Sequence, residues 1–138
     1  MFLIASENAS FGLPEVKRGI HSPAWNLSNL IPASLAMEMA IIGDPLYAKR
    51  ALEVGLVSRV VPQGQALDEA LNVAQAISDN APIAARVMMN EVRRIVHSRT
   101  DPLADMVRYG IKECFDSEDS KEGARAFAEK RKPDFAGR

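Results

Sequence analysis

A chain of 138 residues with 47% apolar side chains is long enough to bury the core of one domain. Its 17 basic and 18 acidic residues leave a net charge of −1, which argues against a general attraction to nucleic acid or to an anionic membrane. No apolar run approaches the roughly 18 residues of a membrane span, and the single cysteine, Cys114, excludes an internal disulfide. We therefore expect a cytoplasmic protein with no nucleic-acid or membrane partner.

The first predicted element is a short strand, because residues 2–5 are apolar and are followed at once by Ser6-Glu7-Asn8. The apolar segment is too short for a secretion signal and lacks the basic start of one. We interpret it as a strand separated from its neighbours in a larger sheet. Its unpaired edge would favour aggregation, so we expect poor solubility.

One acidic residue, Glu15, is predicted to lie on a bend instead of inside a regular helix, because Pro14 keeps the residue before it out of the helical region. Gly12 and Gly19 flank this bend and permit a close backbone approach or a positive φ. The predicted lining of the bend is apolar and consists of Phe11, Leu13, Val16 and Ile20.

Two roles are open to Glu15 from its neighbours alone. An apolar lining disfavours the charged form of a carboxyl group by desolvation, which prepares such a group for acid or base catalysis near neutral pH. Alternatively, Glu15 faces water beside Lys17 and Arg18, which is the commoner arrangement for a single acid near a proline.

The rest of the chain is predicted to be mostly helical. Residues 20–31 are expected to be irregular because prolines limit helix formation there, and residues 56–61 form the only further predicted strand. Helices are predicted over 33–42 with Gly43 as the terminating residue, from Asp44 to Gly55, over 65–79, over 83–97, from Asp101 through Cys114, and from an Asp119-x-x-Glu122 capping box to Pro133.

Four motifs in a fixed order resemble those of the crotonase superfamily, the enoyl-CoA hydratases and isomerases. They are residues 4–16 with Phe11-Gly12-Leu13-Pro14-Glu15, residues 36–43 with Ala36-Met37-Glu38-Met39, residues 48–61 with Gly55-Leu56-Val57, and residues 117–138 with Glu122-Gly123 and Phe127. The resemblance implies an α/β protein with the ClpP/crotonase-like spiral fold. This chain would be the mostly α-helical C-terminal portion of that fold, with few short strands.

The resemblance also implies a substrate site. Glu15 would be the catalytic glutamate that exchanges a proton with the α-carbon of an acyl-CoA thioester, and Pro14 and Gly19 of the same bend would bind substrate. Phe127 and Lys130 lie where the last helix of the family covers the CoA nucleotide, often that of an adjacent subunit. An aromatic ring suits adenine and a lysine suits a phosphate, although both residues also fit an ordinary solvated basic face. CoA is part of the substrate, so no separate cofactor is implied.

Trp25 departs from the family, many members of which carry glycine pairs after the bend. Either its indole narrows the substrate-binding acyl site and so selects the acyl chain, or it packs in the core. The two interpretations are equally compatible with the sequence.

The resemblance covers only the second half of the family's pattern. Residues 1–62 would be the C-terminal part of the crotonase core, including the catalytic bend, and residues 63–138 would be a helical region for oligomerisation and CoA covering. In the family, the oxyanion-hole N–H groups and the second glutamate of hydratases come before this half, so we expect a truncated chain. The family also implies a homo-oligomer, a trimer or a dimer of trimers. The alternative is a catalytically inactive module that oligomerises with or complements a crotonase-type enzyme.

Other chemistries have weaker support in the sequence. A metal site is not expected, because His21 and His97 are far apart and neither has a Cys or His partner at ligand spacing. A helical nucleic-acid binder is disfavoured because the basic cluster occupies one terminus only.

Overall fold

The computed structural model describes residues 2–22, 24–98, 112 and 115–138. They form two compact units, each made of two separate stretches of chain. The first unit contains the described residues up to Phe11 and those from Tyr47 to Ser98, and the second contains Gly12–Leu46 and the described residues after 111. The functional regions predicted from the sequence, 1–62 and 63–138, are each one continuous stretch, unlike these two units. That functional division stays a prediction.

The described elements are mostly helical, with four very short strands. In chain order they are β1 (Ile4–Ser6), β2 (Ser10–Phe11), a 3₁₀ helix (Pro14–Arg18), a second 3₁₀ helix (Ala24–Asn29), α1 (Ala33–Ile42), β3 (Leu46–Tyr47), α2 (Ala48–Glu53), β4 (Arg59–Val61), α3 (Ala66–Ser78), α4 (Pro82–Ser98) and α5 (Glu118–Ala128). The strands form two two-stranded sheets, β1 with β4 and β2 with β3. This composition agrees with the α/β class implied by the resemblance.

In the first unit, the predicted opening strand is confirmed and pairs in parallel with β4. The register places Ile4 opposite Arg59 and Ser6 opposite Val61. Parallel strands need a crossover connection. The small core of this unit contains buried apolar side chains from β1 and from the residues in and around α2. These buried side chains are those of Ala5, Ala48, Ala51, Leu56 and Val57.

The predicted strand over residues 56–61 begins only at Arg59. The N–H groups of Leu56 and Val57 both donate to the carbonyl oxygen of Ala51, at 2.9 and 3.2 Å, and so complete the end of α2. Hydrogen bonds used to close a helix terminus are no longer available to a strand ladder, which explains the shorter strand.

The predicted start of α2 at Asp44 and Pro45 is wrong. The helix begins at Ala48, with Tyr47 as its N-cap in an extended conformation. The Asp44 carboxylate accepts a hydrogen bond from Lys17 Nζ at 2.7 Å, so it does not cap a helix. Asp44 therefore pairs with Lys17, a residue distant in the sequence, instead of capping the helix that follows it.

The second unit contains the two 3₁₀ helices, α1 and α5. Helix α1 has the predicted bounds and ends at Gly43, which is left-handed at φ 74° and donates its N–H to the Met39 carbonyl. The segment predicted to be irregular, residues 20–31, contains the 3₁₀ helix Ala24–Asn29. Short runs of this helix are common connectors, because their hydrogen-bond geometry does not support long ones.

The capping box predicted for the last helix is also wrong. The N-cap of α5 is Ser117, whose Oγ accepts from the Ser120 N–H at 3.0 Å. Asp119 lies inside the first turn, and its carboxylate accepts instead from the N–H groups of Ala136 and Gly137, at 2.7 and 2.9 Å. The residues after α5 therefore fold back along the start of the same helix.

Helix α5 packs on the first 3₁₀ helix through glycines. A Cβ placed on Gly123 would lie 1.9 Å from the carbonyl oxygen of Arg18 and 2.4 Å from its carbonyl carbon. A Cβ placed on Gly19 would lie 2.6 Å from the carbonyl oxygen of Asp119. The two backbones can approach this closely only because both positions lack a side chain.

A charged network holds the end of α5 to the segment that follows it. Arg131 binds Glu122 through both terminal nitrogens, at 2.5 and 3.1 Å, and binds Glu129 through Nε at 2.5 Å. Glu122 also accepts from the Asp134 N–H at 3.1 Å. The hydrogen bonds from Arg131, followed by that from Asp134, lower the pKa of Glu122 from its ordinary 4.5 to about 2.

Two further expectations from the sequence concern helices. Apart from Lys112, the helix predicted from Asp101 through Cys114 lies outside the described residues. Of the helices in the described ranges, none has the length and apolar character required to cross a membrane.

Replacing Gly123 with Ala should destabilise the protein by about 3 kcal/mol, because the new methyl group would overlap the Arg18 backbone. In a free helix the same change would stabilise by roughly 1 kcal/mol, so the sign of the effect tests the contact. The measurement is urea unfolding followed by circular dichroism.

Gly55→Ala is the matched control for this substitution. Gly55 has φ 80° and no atom within 4 Å of an added Cβ, so only the conformational cost of about 1 kcal/mol applies. A Gly123→Ala protein as stable as the wild type would contradict the observed packing of α5.

Replacing Glu122 with Gln should destabilise the protein at neutral pH, and the difference from wild type should shrink as the pH falls. The folded-state pKa of about 2 lies below the ordinary 4.5, so the ionised carboxylate stabilises the fold above pH 4.5. This contribution is lost as the pH falls through 2. Urea unfolding midpoints of both proteins between pH 7 and pH 2 measure the convergence.

Glu53→Gln serves as the control, because its exposed ion pair with Arg50 should contribute little at any pH. A difference between wild type and Glu122→Gln that stays constant down to pH 2 would show that the network does not depend on the charge of Glu122.

Candidate active site

The candidate site is built around the 3₁₀ helix Pro14–Arg18, which we call the Glu15 turn. Pro14 occupies its first position, where a missing N–H costs nothing, and Gly19 ends it in a left-handed conformation at φ 67°. The Gly19 N–H donates to the main-chain carbonyl oxygen of Val16 at 3.2 Å, and the Ile20 N–H donates to that of Glu15 at 3.1 Å. The prediction that Glu15 lies on a proline-initiated bend is confirmed.

The two glycines predicted to flank the bend differ in role. Gly19 has a positive φ and a backbone neighbour within van der Waals distance, so both predicted reasons for a glycine apply. Gly12 has ordinary φ, and an added Cβ would meet Pro45 Cα at an unstrained 3.6 Å. Only Gly19 is therefore required by the geometry of the turn.

The end of α1 supports the Glu15 turn from one side. A Cβ on Gly43 would lie 3.0 Å from Val16 Cγ1 and 3.3 Å from the Leu13 carbonyl oxygen. Next to this contact, Lys17 and Asp44 form the ion pair described above. On the other side, the contacts of Gly19 with Asp119 and of Arg18 with Gly123 join the turn to α5. The turn is therefore held by two helices.

The Glu15 side chain is half-buried, and its Oε2 atom is fully buried with no hydrogen-bond partner among the described residues. Leaving a buried polar atom unpaired costs about 1–3 kcal/mol, so such an atom requires an explanation. An unoccupied lone pair on a fixed carboxylate is what a group needs to accept a proton from a substrate.

The apolar lining predicted for Glu15 is only partly present. Leu13 and Ile20 are half-buried in the same unit, whereas Val16 is 37% exposed. Phe11 belongs to the first unit. Glu15 does not line either of two open cavities in the second unit, which have volumes of about 70 and 320 Å³.

Near the opposite end of the turn, the Arg18 guanidinium lies over the Phe127 ring, with its carbon 4.1 Å from the ring centroid. The Phe127 side chain remains 63% exposed, so much of the ring is open to solvent. This cation–π contact joins the Glu15 turn to the C-terminal turn of α5.

Lys130 occupies an unusual backbone position for a lysine. Its φ is 54°, and the N–H groups of Lys130 and Arg131 donate to the carbonyls of Phe127 and Ala126 at 3.3 and 3.0 Å. This is the hydrogen-bond pattern of a helix terminus at which glycine is the usual left-handed residue. A lysine in this left-handed conformation is less favourable than a glycine would be.

The structure brings together most of the predicted site residues of the second unit. Pro14, Glu15 and Gly19 share one turn, and Phe127 contacts that turn through Arg18. Lys130 follows at the end of the same helix as Phe127. Trp25 lies on the second 3₁₀ helix, and its side chain is outside the described part of the structure.

Two residues of the site, Arg18 and Gly123, had no assigned role in the sequence interpretation. A glycine inside a helical pattern is a signal for close packing, and it would have identified Gly123. No local pattern marks Arg18, because its partner Phe127 lies far along the chain.

In the described ranges, no three His, Cys, Asp or Glu side chains cluster as metal ligands would.

Comparison with known proteins shows which family the sequence resembles. The sequence model of the family described as enoyl-CoA hydratase/isomerase matches residues 2–138. The enoyl-CoA hydratase EchA19 of Mycobacterium tuberculosis is 40% identical over 98% of this chain and 52% of its own length. The chain thus spans about half the length of the curated relatives it matches.

Two solved structures extend the comparison to the fold. A carnitinyl-CoA dehydratase from Mycobacterium avium is 37% identical, with a TM-score of 0.92 over 99% of this chain and 56% of its own. A methylmalonyl-CoA decarboxylase complexed with 2S-carboxypropyl-CoA is 31% identical, with a TM-score of 0.85 over 100% of this chain and 55% of its own. The chain therefore belongs to the enoyl-CoA hydratase/isomerase family of the crotonase superfamily.

Proposed function

We propose that the protein acts on an acyl-CoA thioester and that Glu15 exchanges a proton with the α-carbon, through an enolate-like intermediate. The observation that carries the proposal is the buried, unpaired Oε2 atom of Glu15 on a turn held by two helices. A general base must combine a free lone pair with a fixed position, and this carboxylate combines both.

The proposed step moves one proton and one electron pair. A carboxylate oxygen of Glu15 takes the α-proton, and the electrons of the broken C–H bond move into the thioester carbonyl to form the enolate. Peptide N–H donors aimed at such an oxygen typically contribute about 3–4 kcal/mol each. Returning the proton to another carbon completes a double-bond migration with one carboxylic acid, whereas hydration also needs a group that positions water.

We further propose that Pro14 and Gly19 shape the substrate side of the Glu15 turn, and that the CoA nucleotide lies against Phe127 and Lys130. The exposed Phe127 ring offers a stacking surface, and the lysine held in a strained conformation offers a cation for phosphate. The role of Trp25 in selecting the acyl chain, the homo-oligomeric state and the cytoplasmic location stay predictions.

Replacing Glu15 with Gln should reduce α-proton exchange by a factor of about 100 or more, because the amide cannot accept the proton. The measurement is deuterium uptake at the α-carbon of butyryl-CoA in D₂O, followed by NMR. Affinity for butyryl-CoA, measured by calorimetry, should change by less than about threefold because the shape of the side chain is kept.

Glu53→Gln, an exposed glutamate of the first unit, is the matched control and should exchange at the wild-type rate. Equal exchange in wild type and Glu15→Gln would contradict the assigned base. A wild-type protein that self-associates but neither binds nor exchanges the thioester would support the inactive oligomerisation module instead.

Replacing Lys130 with Gly should raise the free energy of unfolding by about 1 kcal/mol while weakening CoA binding by about fivefold. Glycine relieves the left-handed backbone, but it removes the proposed phosphate-binding charge. Calorimetry with CoA and urea unfolding measure the two effects separately.

Lys130→Asn separates the charge from the conformation, because asparagine tolerates the left-handed region without a charge. It should bind CoA as weakly as Lys130→Gly. Wild-type affinity in both variants would show that Lys130 does not bind substrate.

A further inference from the structure

Arg18 has a different electrostatic environment from the arginines of α5 and the segment after it. Arg125 and Arg131 pair with Glu122, and Arg138 pairs with Glu118. The Arg18 side chain has no carboxylate partner among the described residues, and its guanidinium lies over the Phe127 ring. Its positive charge is therefore available to an anionic ligand.

The geometry of this pair suits an anion attached to an aromatic ring system. A guanidinium that stacks on a ring by its face keeps the N–H donors along its edge, and these match the oxygens of a phosphate. The Phe127 ring, 63% exposed, can contact a flat base while Arg18 covers another part of it. A purine nucleotide has both of these chemical features.

Arg18 also belongs to the backbone contact that positions the Glu15 turn. Gly123 packs against the Arg18 carbonyl group, and Arg18 is the last residue of the short helix that carries Glu15. A ligand bound to the Arg18 side chain would therefore contact the same residue whose main chain packs the Glu15 turn against α5.

We propose that Arg18 is a specificity-determining residue that binds a phosphate of the CoA nucleotide and so distinguishes CoA thioesters from thioesters that lack the nucleotide. This inference rests on the proposed function, which supplies the substrate class. It assigns Arg18 to binding and not to proton transfer. Phe127 keeps the guanidinium beside its ring, and the guanidinium N–H groups donate to the phosphate.

The test compares the affinity of CoA with that of pantetheine, which lacks the nucleotide, by calorimetry on the whole protein. The wild type should bind CoA more tightly than pantetheine. Arg18→Met should weaken CoA binding about tenfold and change pantetheine binding less than twofold. Arg18→Lys, which keeps the charge but not the planar fork, should recover part of the loss.

Arg50→Met is the matched control, because Arg50 is an exposed arginine of the first unit paired with Glu53. It should leave both affinities unchanged. Combining Arg18→Met with Phe127→Leu should cost less than the sum of the two single changes, because the two side chains act together.

Three results would overturn the inference: CoA affinity unchanged in Arg18→Met, an equal loss for CoA and pantetheine, or a wild type that does not prefer CoA. The affinity measurement needs no turnover, so it separates this inference from the proposed catalysis. Normal α-proton exchange with an unaltered CoA preference in Arg18→Met would reject only the role of Arg18. If the wild type does not exchange the α-proton but Arg18→Met loses the preference for CoA, only the role of Glu15 is rejected.

Discussion

The position of the Glu15 turn depends on the contact between the Arg18 main chain and Gly123 of α5. This contact leaves no space for a single methyl group, and the neighbouring contact of Gly19 with Asp119 is nearly as close. Because packed backbones cannot shift continuously, the helix defines where the turn lies. On the other side, Gly43 and the ion pair of Lys17 with Asp44 complete the support. The short helix has few hydrogen bonds of its own, so these neighbours are what make Glu15 a fixed group.

Two glutamates of the second unit show how differently a carboxylate can be used. Glu122 accepts hydrogen bonds from Arg131 and from the Asp134 N–H, and these hold its pKa at about 2. Glu15 instead has one oxygen that is buried without a partner in the described part of the chain. A carboxylate whose two oxygens both accept hydrogen bonds stabilises structure, whereas an oxygen without a partner remains able to take a proton. The contrast assigns a structural role to Glu122 and supports the proposed chemical role of Glu15.

Local features were predictable from the sequence, and long-range ones were not. Pro14 at the start of the Glu15 turn and Gly43 at the end of α1 act through their own backbone preferences, so both were predicted correctly. The caps assigned to Asp44 and Asp119 were wrong because distant partners, Lys17 and the N–H groups after α5, bind those carboxylates. The contact of Arg18 with Phe127 depends on tertiary packing, which no short pattern encodes. The resemblance identified the family and nominated Glu15, but the structure supplied the reason that this residue is held in place.

The central claim is that the backbone contact with α5 presents the Glu15 carboxylate to the reacting carbon of a CoA thioester. The most direct measurement is a crystal structure of the protein bound to an unreactive acyl-CoA analogue. The account predicts a carboxylate oxygen of Glu15 within about 3.5 Å of the carbon next to the thioester carbonyl, with the turn still seated on Gly123. An ordered analogue whose α-carbon lies far from Glu15, with that carboxylate in bulk water, would contradict it.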